Sequence, residues 1–151
     1  MSLIIRRGAP LDAEFIADFQ VQMARETEDK SLDLDLVTTA VAKVFHDPAK
    51  GFYLVAELDS RLVGSLMITT EWSDWRNSDM WYFQSVFVKP EFRGQGIFRR
   101  MYDHVIELAK QQDVLHARLY VEEENQRAQN VYESLGMKRM PYHMYDIRIG
   151  S

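Results

Sequence analysis

The run Val86-Phe87-Val88-Lys89-Pro90-Glu91-Phe92-Arg93-Gly94-Gln95-Gly96-Ile97-Phe98 carries more information than any other part of this 151-residue chain. It reads as an apolar strand, a short turn, an Arg-Gly-x-Gly loop and the start of a helix. The first amides of a helix have no intrahelical acceptor, and the helix dipole adds partial positive charge beside them. Such a start is a place for a phosphate or pyrophosphate. Gly94 and Gly96 can take positive φ, which lets a ligand come close to the backbone. Four cations, Lys89, Arg93, Arg99 and Arg100, stand around the loop against one acid, Glu91, in a chain of net charge −5. A basic patch on an acidic protein suits a polyanion. The loop lacks the third glycine of the dinucleotide fingerprint and the Gly-Lys-Ser/Thr of a P-loop. By itself it serves equally as an ordinary strand-to-helix turn.

A second run, Asn125-Gln126-Arg127-Ala128-Gln129-Asn130-Val131-Tyr132-Glu133-Ser134-Leu135-Gly136-Met137, reads as a short helix. Asn125 has the side chain of an N-cap. Ala128, Val131, Tyr132 and Leu135 fall at i, i+3, i+4 and i+7 as its buried stripe. Gly136 ends it.

Working outward, Leu3 to Arg6 reads as a first strand. A helix from about Asp12 to Glu28 carries Phe15, Ile16, Phe19 and Met23 at helical spacing. A second, from about Asp35 to His46, turns Val37, Ala40, Val41, Val44 and Phe45 inward and stops at Asp47-Pro48. Strands over Phe52 to Leu58 and Leu62 to Thr70 are joined by the two-residue turn Asp59-Ser60. A third long strand covers Trp81 to Val88. The helix Ile97 to Gln112 faces the sheet with Ile97, Met101, Val105, Leu108 and Ala109. A buried strand is expected at Ala117 to Val121 and a last strand at Tyr142 to Ile149. This order of elements fits an α/β, mixed α+β fold: a mixed sheet with helices on both faces. The crossover from the 81–88 strand to the 117–121 strand should be parallel and right-handed. Residues 1–151 are long enough for one domain with its own core.

Composition narrows the function. Apolar residues make up 46% and charged residues 27%, as in soluble globular proteins. No apolar run reaches the length of a membrane span, and no secretory leader is visible, so a cytoplasmic location is expected. With no cysteine, the chain has no disulfide, no thiolate nucleophile and no Cys-zinc site. The four histidines show no ligand spacing, and no metal is expected. The negative net charge speaks against general nucleic-acid binding.

The two runs together, an Arg-x-x-Gly-type loop followed by Asn-x-x-Ala-x-x-x-Tyr-x-x-x-Gly-Met, resemble the GNAT superfamily of acyl-CoA-dependent N-acetyltransferases. The match is strong over about residues 79–139. The resemblance implies a central mixed sheet in which a parallel strand pair splays apart, with coenzyme A in the gap. It also implies a bulge in the 81–88 strand that frees main-chain groups for the pantetheine arm. The implied cofactor set is Val86, Phe87, Val88, Arg93, Gly94, Gln95, Gly96, Ile97, Phe98, Arg99, Asn125 and Tyr132, with acetyl-CoA as co-substrate. Phe98 departs from the family, which has Gly or Ala there; its ring should pack inward with Met101 and Tyr102. The resemblance also makes Tyr132 the acid that protonates the leaving thiolate. A phenol of pKa about 10 can protonate a thiolate whose acid has a pKa of about 8.5.

The implied reaction is acyl transfer from acetyl-CoA to an amine, which must lose its proton to attack. For an alkylammonium of pKa about 10.4 that means roughly 4–5 kcal/mol at neutral pH. Desolvation and a base can supply it. Glu71, Glu122 and Glu123 are base candidates by position, and a water relay, or no enzyme base at all, serves equally. Gln84 stands on the strand where some relatives have a glutamate, and an amide is no base. Amides near Phe87 and Val88 would polarise the thioester carbonyl. Glu26, Glu28, Asp29, Asp33 and Asp35 cluster between the first two helices, either as solvated helix ends or as a field for a cationic amine. Trp72, Trp75 and Trp81 admit a substrate wall, a dimer contact or plain packing. Glu28, Trp72 and Gln84 are the candidate acceptor contacts. The expected acceptor is a small primary amine, with a protein amine or a non-catalytic acyl-CoA sensor as alternatives. A homodimer is a reasonable expectation.

Overall fold

Asp59 and Ser60 sit at φ 49° and 68°. Positive φ at both central residues makes a type I′ turn, whose twist matches the strands it joins. The turn links β2 (Phe52–Leu58) to β3 (Arg61–Ser73), as the sequence predicts. β1 (Leu3–Arg7) pairs antiparallel with β2, and β4 (Ser78–Val88) pairs antiparallel with β3. β5 (His116–Arg118) lies parallel to β4, giving the sheet order β1-β2-β3-β4-β5. The structure, a computed structural model, describes residues 2–151 and divides into two compact units, one ending at Leu119 and one spanning Tyr120–Ser151. The sheet belongs to the first.

Alternate residues of β2 point to opposite faces. Leu54, Ala56 and Leu58 pack with Ile97, Met101, Val105 and Ala109 of α3 (Ile97–Gln111). Tyr53 and Val55 pack with Ile16 and Ala17 of α1 (Ala13–Glu28) and with Val41 and Val44 of α2 (Leu34–His46). Helices therefore cover both faces, as expected. Two details differ from the sequence reading. Phe15 points outward, because the small buried residues Ala17 and Ala24 turn α1 onto its Ile16–Phe19 side. Ala40 is exposed, because Val37, Val41 and Val44 already form the inward stripe of α2.

β3 and β4 run further than the sequence suggests, with Glu71 to Ser73 paired to Ser78 to Met80. Polar residues are no obstacle there, since an antiparallel extension can face water. Only Asp74 to Asn77 are left as the turn. Trp81 is buried and meets Phe52 edge-on, with ring centroids 5.3 Å apart, so its role is packing. The entry to α1 is fixed by an ion pair. Arg6 Nη1 and Nη2 donate to the Asp12 carboxylate at 2.8 and 3.1 Å, and Nη2 also reaches Glu57 at 3.2 Å. Burial alone would raise the Asp12 pKa, but the Arg6 bonds and the Ala9 N–H outweigh it and hold the carboxyl below its ordinary range.

The expected buried strand at 117–121 is corrected to three half-buried or exposed residues, His116–Arg118. They pair with Met80, Trp81 and Tyr82.

The second unit contains α4 (Gln126–Ser134). The Asn125 side chain accepts from Ala128 N at 3.1 Å, the N-cap the sequence predicts. Gly136 takes φ +96°, Gly136 N donates to Glu133 O at 3.0 Å, and Met137 N donates to Tyr132 O at 3.1 Å. These are the two bonds of a Schellman stop. The stripe is shallower than expected: Ala128, Tyr132 and Leu135 are half-buried and Val131 is exposed. The strand expected at Tyr142 to Ile149 is absent; these residues have no regular structure. A strand needs a neighbour for its backbone groups, and this segment has no ladder partner among the described residues.

Candidate active site

The site in the first unit starts with an irregularity in β4. Ser65 pairs with Phe87 and Met67 pairs with Gln84, so Ser85 and Val86 together face Leu66 alone. This is a β-bulge, with Ser85 at φ 51°. Within the first unit, β4 continues beyond Tyr82 through Val88, past the last residue of β5 paired with it. The parallel pair the sequence predicts is thus formed over Met80–Tyr82 and His116–Arg118. On the opposite side β3 comes very close. A Cβ on Gly64 would lie 2.9 Å from the Phe87 carbonyl oxygen. Nothing in the sequence alone marks Gly64, since its requirement arises from the neighbouring strand.

After β4 the chain makes a short 3₁₀ turn, Pro90–Phe92, and enters the loop. Gly94 and Gly96 have φ +77° and +80°, and a Cβ on either would meet no heavy atom within 4 Å. Their positive φ favours glycine, and the space in front of them is open to an approaching group. Gly96 is the N-cap of α3 and supplies no side-chain hydrogen bond. The first helical bond runs from Arg100 N to Gly96 O at 3.1 Å, so the amides of Ile97 and Arg99 have no helical acceptor. Open backbone amides at a helix start are the kind of place that can take a phosphate group. Phe98 packs as expected, with its ring 6.2 Å from that of Tyr102 and against the cluster that includes Met101.

The four cations divide. Arg93 is held in place: Nε donates to Val88 O at 2.7 Å, Nη2 donates to Glu26 at 2.8 Å, and the guanidinium lies 5.5 Å from the Phe87 ring centroid. It ties the loop to the end of β4 and to α1. Arg99 pairs with Asp103 at 3.4 Å, and Arg100 reaches Leu3 O at 3.5 Å. Lys89 makes no ion pair among the described residues. The sequence reading counted Lys89 in the patch without giving it a role.

In the second unit, burial pushes the Tyr132 phenol above its ordinary value of about 10. The phenol therefore stays protonated well past neutral pH. Gln129 Nε2 donates to Glu122 O at 3.2 Å and to Glu123 O at 2.8 Å, fixing the turn that leads into α4.

The acidic residues between α1 and α2 are mostly occupied structurally. Asp33 caps α2 through Asp35 N and Leu36 N, Asp29 is the left-handed end of α1, Glu28 pairs with Lys30 at 3.5 Å, and Glu26 pairs with Arg93. Gln84 Nε2 donates to Thr69 Oγ1 at 3.0 Å. Glu71, Trp72 and Trp75 are exposed on the β3–β4 hairpin. Two buried polar atoms, Ser65 Oγ and Gln20 Nε2, have no hydrogen-bond partner among the described residues, a feature with no mark in the sequence. No group of three potential metal-binding side chains occurs among the described residues, and no helix is long and apolar enough to cross a membrane.

Comparison with known proteins agrees with this geometry. The Acetyltransferase (GNAT) family matches residues 12–137. A solved structure of a possible acetyltransferase from Clostridium difficile 630 is 37% identical, covers 100% of both chains and superposes with a TM-score of 0.93. A thialysine N-epsilon-acetyltransferase from Bos taurus is 35% identical over 75 residues, 50% of this chain and 44% of that one. A Bacillus subtilis (strain 168) protein, provisionally a [ribosomal protein bS18]-alanine N-acetyltransferase, is 33% identical over 86 residues, 57% of this chain and 53% of that one. The chain thus spans about half the length of each of these two relatives.

Proposed function

Because the chain belongs to the GNAT family of acetyltransferases, we propose that it transfers the acetyl group of acetyl-CoA to a primary amine of a small molecule, by direct attack in a ternary complex. That it is an acyltransferase using acetyl-CoA follows from the family. The observation that carries the site assignment is the start of α3: two glycines at positive φ, open space before them, and an uncapped first turn. In this reading the loop amides from Gly94, Gln95, Gly96, Ile97, Phe98 and Arg99 receive the pyrophosphate. Arg93 holds that loop in shape. The main chain of Val86, Phe87 and Val88, along the open side of β4, takes the pantetheine arm and polarises the thioester carbonyl.

The amine nitrogen attacks the thioester carbon and the C–S bond breaks. The thiolate takes the Tyr132 proton, the new amide loses its surplus proton to water, and the tyrosinate recovers one from solvent. The raised pKa of Tyr132 keeps the acid in place through neutral pH. Turnover should therefore fall on the alkaline side, as pH rises through the raised phenol pKa. Asn125 sets the register of Tyr132 through its cap and presents its amide nitrogen to the cofactor. Glu28, Trp72 and Gln84 are the proposed acceptor contacts. The relative named for thialysine supports an acceptor amine on a small molecule.

The test joins calorimetric titration with acetyl-CoA to thiol release across a panel of small amines and one alanine-terminated peptide. Micromolar binding and turnover with a small amine are expected. Turnover with the peptide alone would overturn the acceptor class. Absence of binding would remove the site.

A further inference from the structure

Gly64 stands inside β3, directly opposite Val88 of β4. Its own φ is not positive, so nothing in its conformation requires glycine. The requirement comes from across the ladder. A Cβ on Gly64 would lie 2.9 Å from Phe87 O, with Val88 Cγ2 and Met101 Cε each at 3.5 Å. The first of these neighbours is backbone, which cannot rotate aside, and it would sit roughly half an ångström inside ordinary contact. The Phe87 carbonyl and the Val88 N–H belong to one planar trans peptide, so they point in opposite directions. The carbonyl faces β3, and the Val88 N–H faces away from it. Two hydrogen bonds agree. Lys89 N donates to Val63 O at 2.8 Å, and amides alternate along a strand, which turns Val88 N to the other side. Val88 O, on the same side as its own N–H, accepts from Arg93 Nε at 2.7 Å. The Phe87 side chain is held as well, with the Phe19 ring centroid at 5.2 Å and the Arg93 guanidinium at 5.5 Å.

We propose that Gly64 is a positioning residue for acyl transfer. Its missing Cβ lets the Phe87–Val88 peptide settle against β3, and that seat sets where the Val88 N–H meets the thioester carbonyl oxygen. The inference rests on the reading of β4 as the place of the acetyl-pantetheine arm. It goes further by naming one donor and the residue that places it. The Phe87 N–H, two residues before that of Lys89, faces β3 and is not the donor. A methyl group at position 64 would push the peptide off β3 and carry the Val88 N–H with it, because the plane moves as one body. Donors aimed at a developing oxyanion act through fixed placement, so a displacement of this size is felt in the hydrogen bond they make.

The test uses the full chain and two ligands. CoA has the arm and no acyl group. The ketone analogue of acetyl-CoA, with a methylene in place of sulfur, keeps the carbonyl and cannot transfer it. In the unaltered protein the Val88 amide proton should move further downfield with the ketone than with CoA. Gly64→Ala should reduce that difference, weaken the ketone about tenfold in calorimetry, the worth of one hydrogen bond, and leave CoA affinity unchanged. A residue that served packing alone would cost both ligands equally. That result overturns the proposal, and so does an unchanged ketone affinity. If Gly64→Ala does not fold, Val88→Pro decides. It removes the N–H and, since that group faces away from β3, breaks no bond of the β3–β4 ladder. Loss of ketone affinity with CoA affinity retained supports the proposal, and equal affinities to the unaltered protein overturn it. Failure here is distinct from failure of the underlying reading. If neither ligand binds the unaltered protein, the place of the arm is wrong and the proposal falls with it. If both bind and the Val88 amide responds while Gly64→Ala changes nothing, only the role of Gly64 is lost.

Discussion

α3 and α4 begin in opposite ways. α4 starts at Asn125, whose side chain takes the Ala128 N–H, and α2 starts likewise at Asp33. α3 starts at Gly96, which has no side chain to offer, after a loop whose two glycines face open space. The first amides of α3 are thereby left open, and the stability forgone at a glycine N-cap is roughly a few tenths of a kcal/mol. An open start alone does not mark a binding start, since α1 also begins without a side-chain cap. What sets α3 apart is the pair of glycines at positive φ and the open space before them.

The sharpest way to break the contrast is to put a negative charge at the start of α3. Gly96→Asp does so at a left-handed position, where aspartate is less strained than most side chains. It should weaken acetyl-CoA about 100-fold or more in calorimetry, by filling the open space before the loop and repelling phosphate. Unchanged affinity would mean that the α3 start is not the phosphate site. Tyr132→Phe comes next, with kcat lower by about 10–100-fold and little change in acetyl-CoA affinity. Full turnover in that variant would take Tyr132 out of the mechanism. Asn125→Ala opens α4 and should lower stability by about 1 kcal/mol in urea unfolding, while Asn125→Asp retains the cap. If both variants lose acetyl-CoA affinity and only the alanine loses stability, the amide nitrogen is the cofactor contact. If affinity holds in both, the residue is a cap alone. The smallest effect belongs to Asp33→Ala, which removes exposed bonds of 3.0 and 3.3 Å. It should cost about 0.5 kcal/mol and leave acetyl-CoA binding untouched; a loss of binding would tie the α2 start to the site.

Features set by neighbours in sequence were legible before the structure. Asp59-Ser60 names its turn, Gly94 and Gly96 mark the open loop, Asn125 and Gly136 bound α4, and Phe98 goes inward as its size demands. Features set by neighbours in space were not. The bulge at Ser85 and Val86 depends on the register of β3, and Gly64 matters only because the Phe87 carbonyl lies against it. The Arg93–Glu26 pair joins residues 67 positions apart and leaves no periodic trace. The pattern at 142–149 is strand-like and was read as a strand, but pattern supplies only one side of a ladder.

Arg93 ties the proposed cofactor loop to the end of α1, since a single guanidinium contacts Val88, Phe87 and Glu26 together. Thermodynamic reciprocity then applies. An acceptor that tightens or loosens the end of α1 must alter the affinity for acetyl-CoA by some factor, and acetyl-CoA must alter the affinity for that acceptor by the same factor. The two substrates of the reaction would sense each other through one side chain that need touch neither.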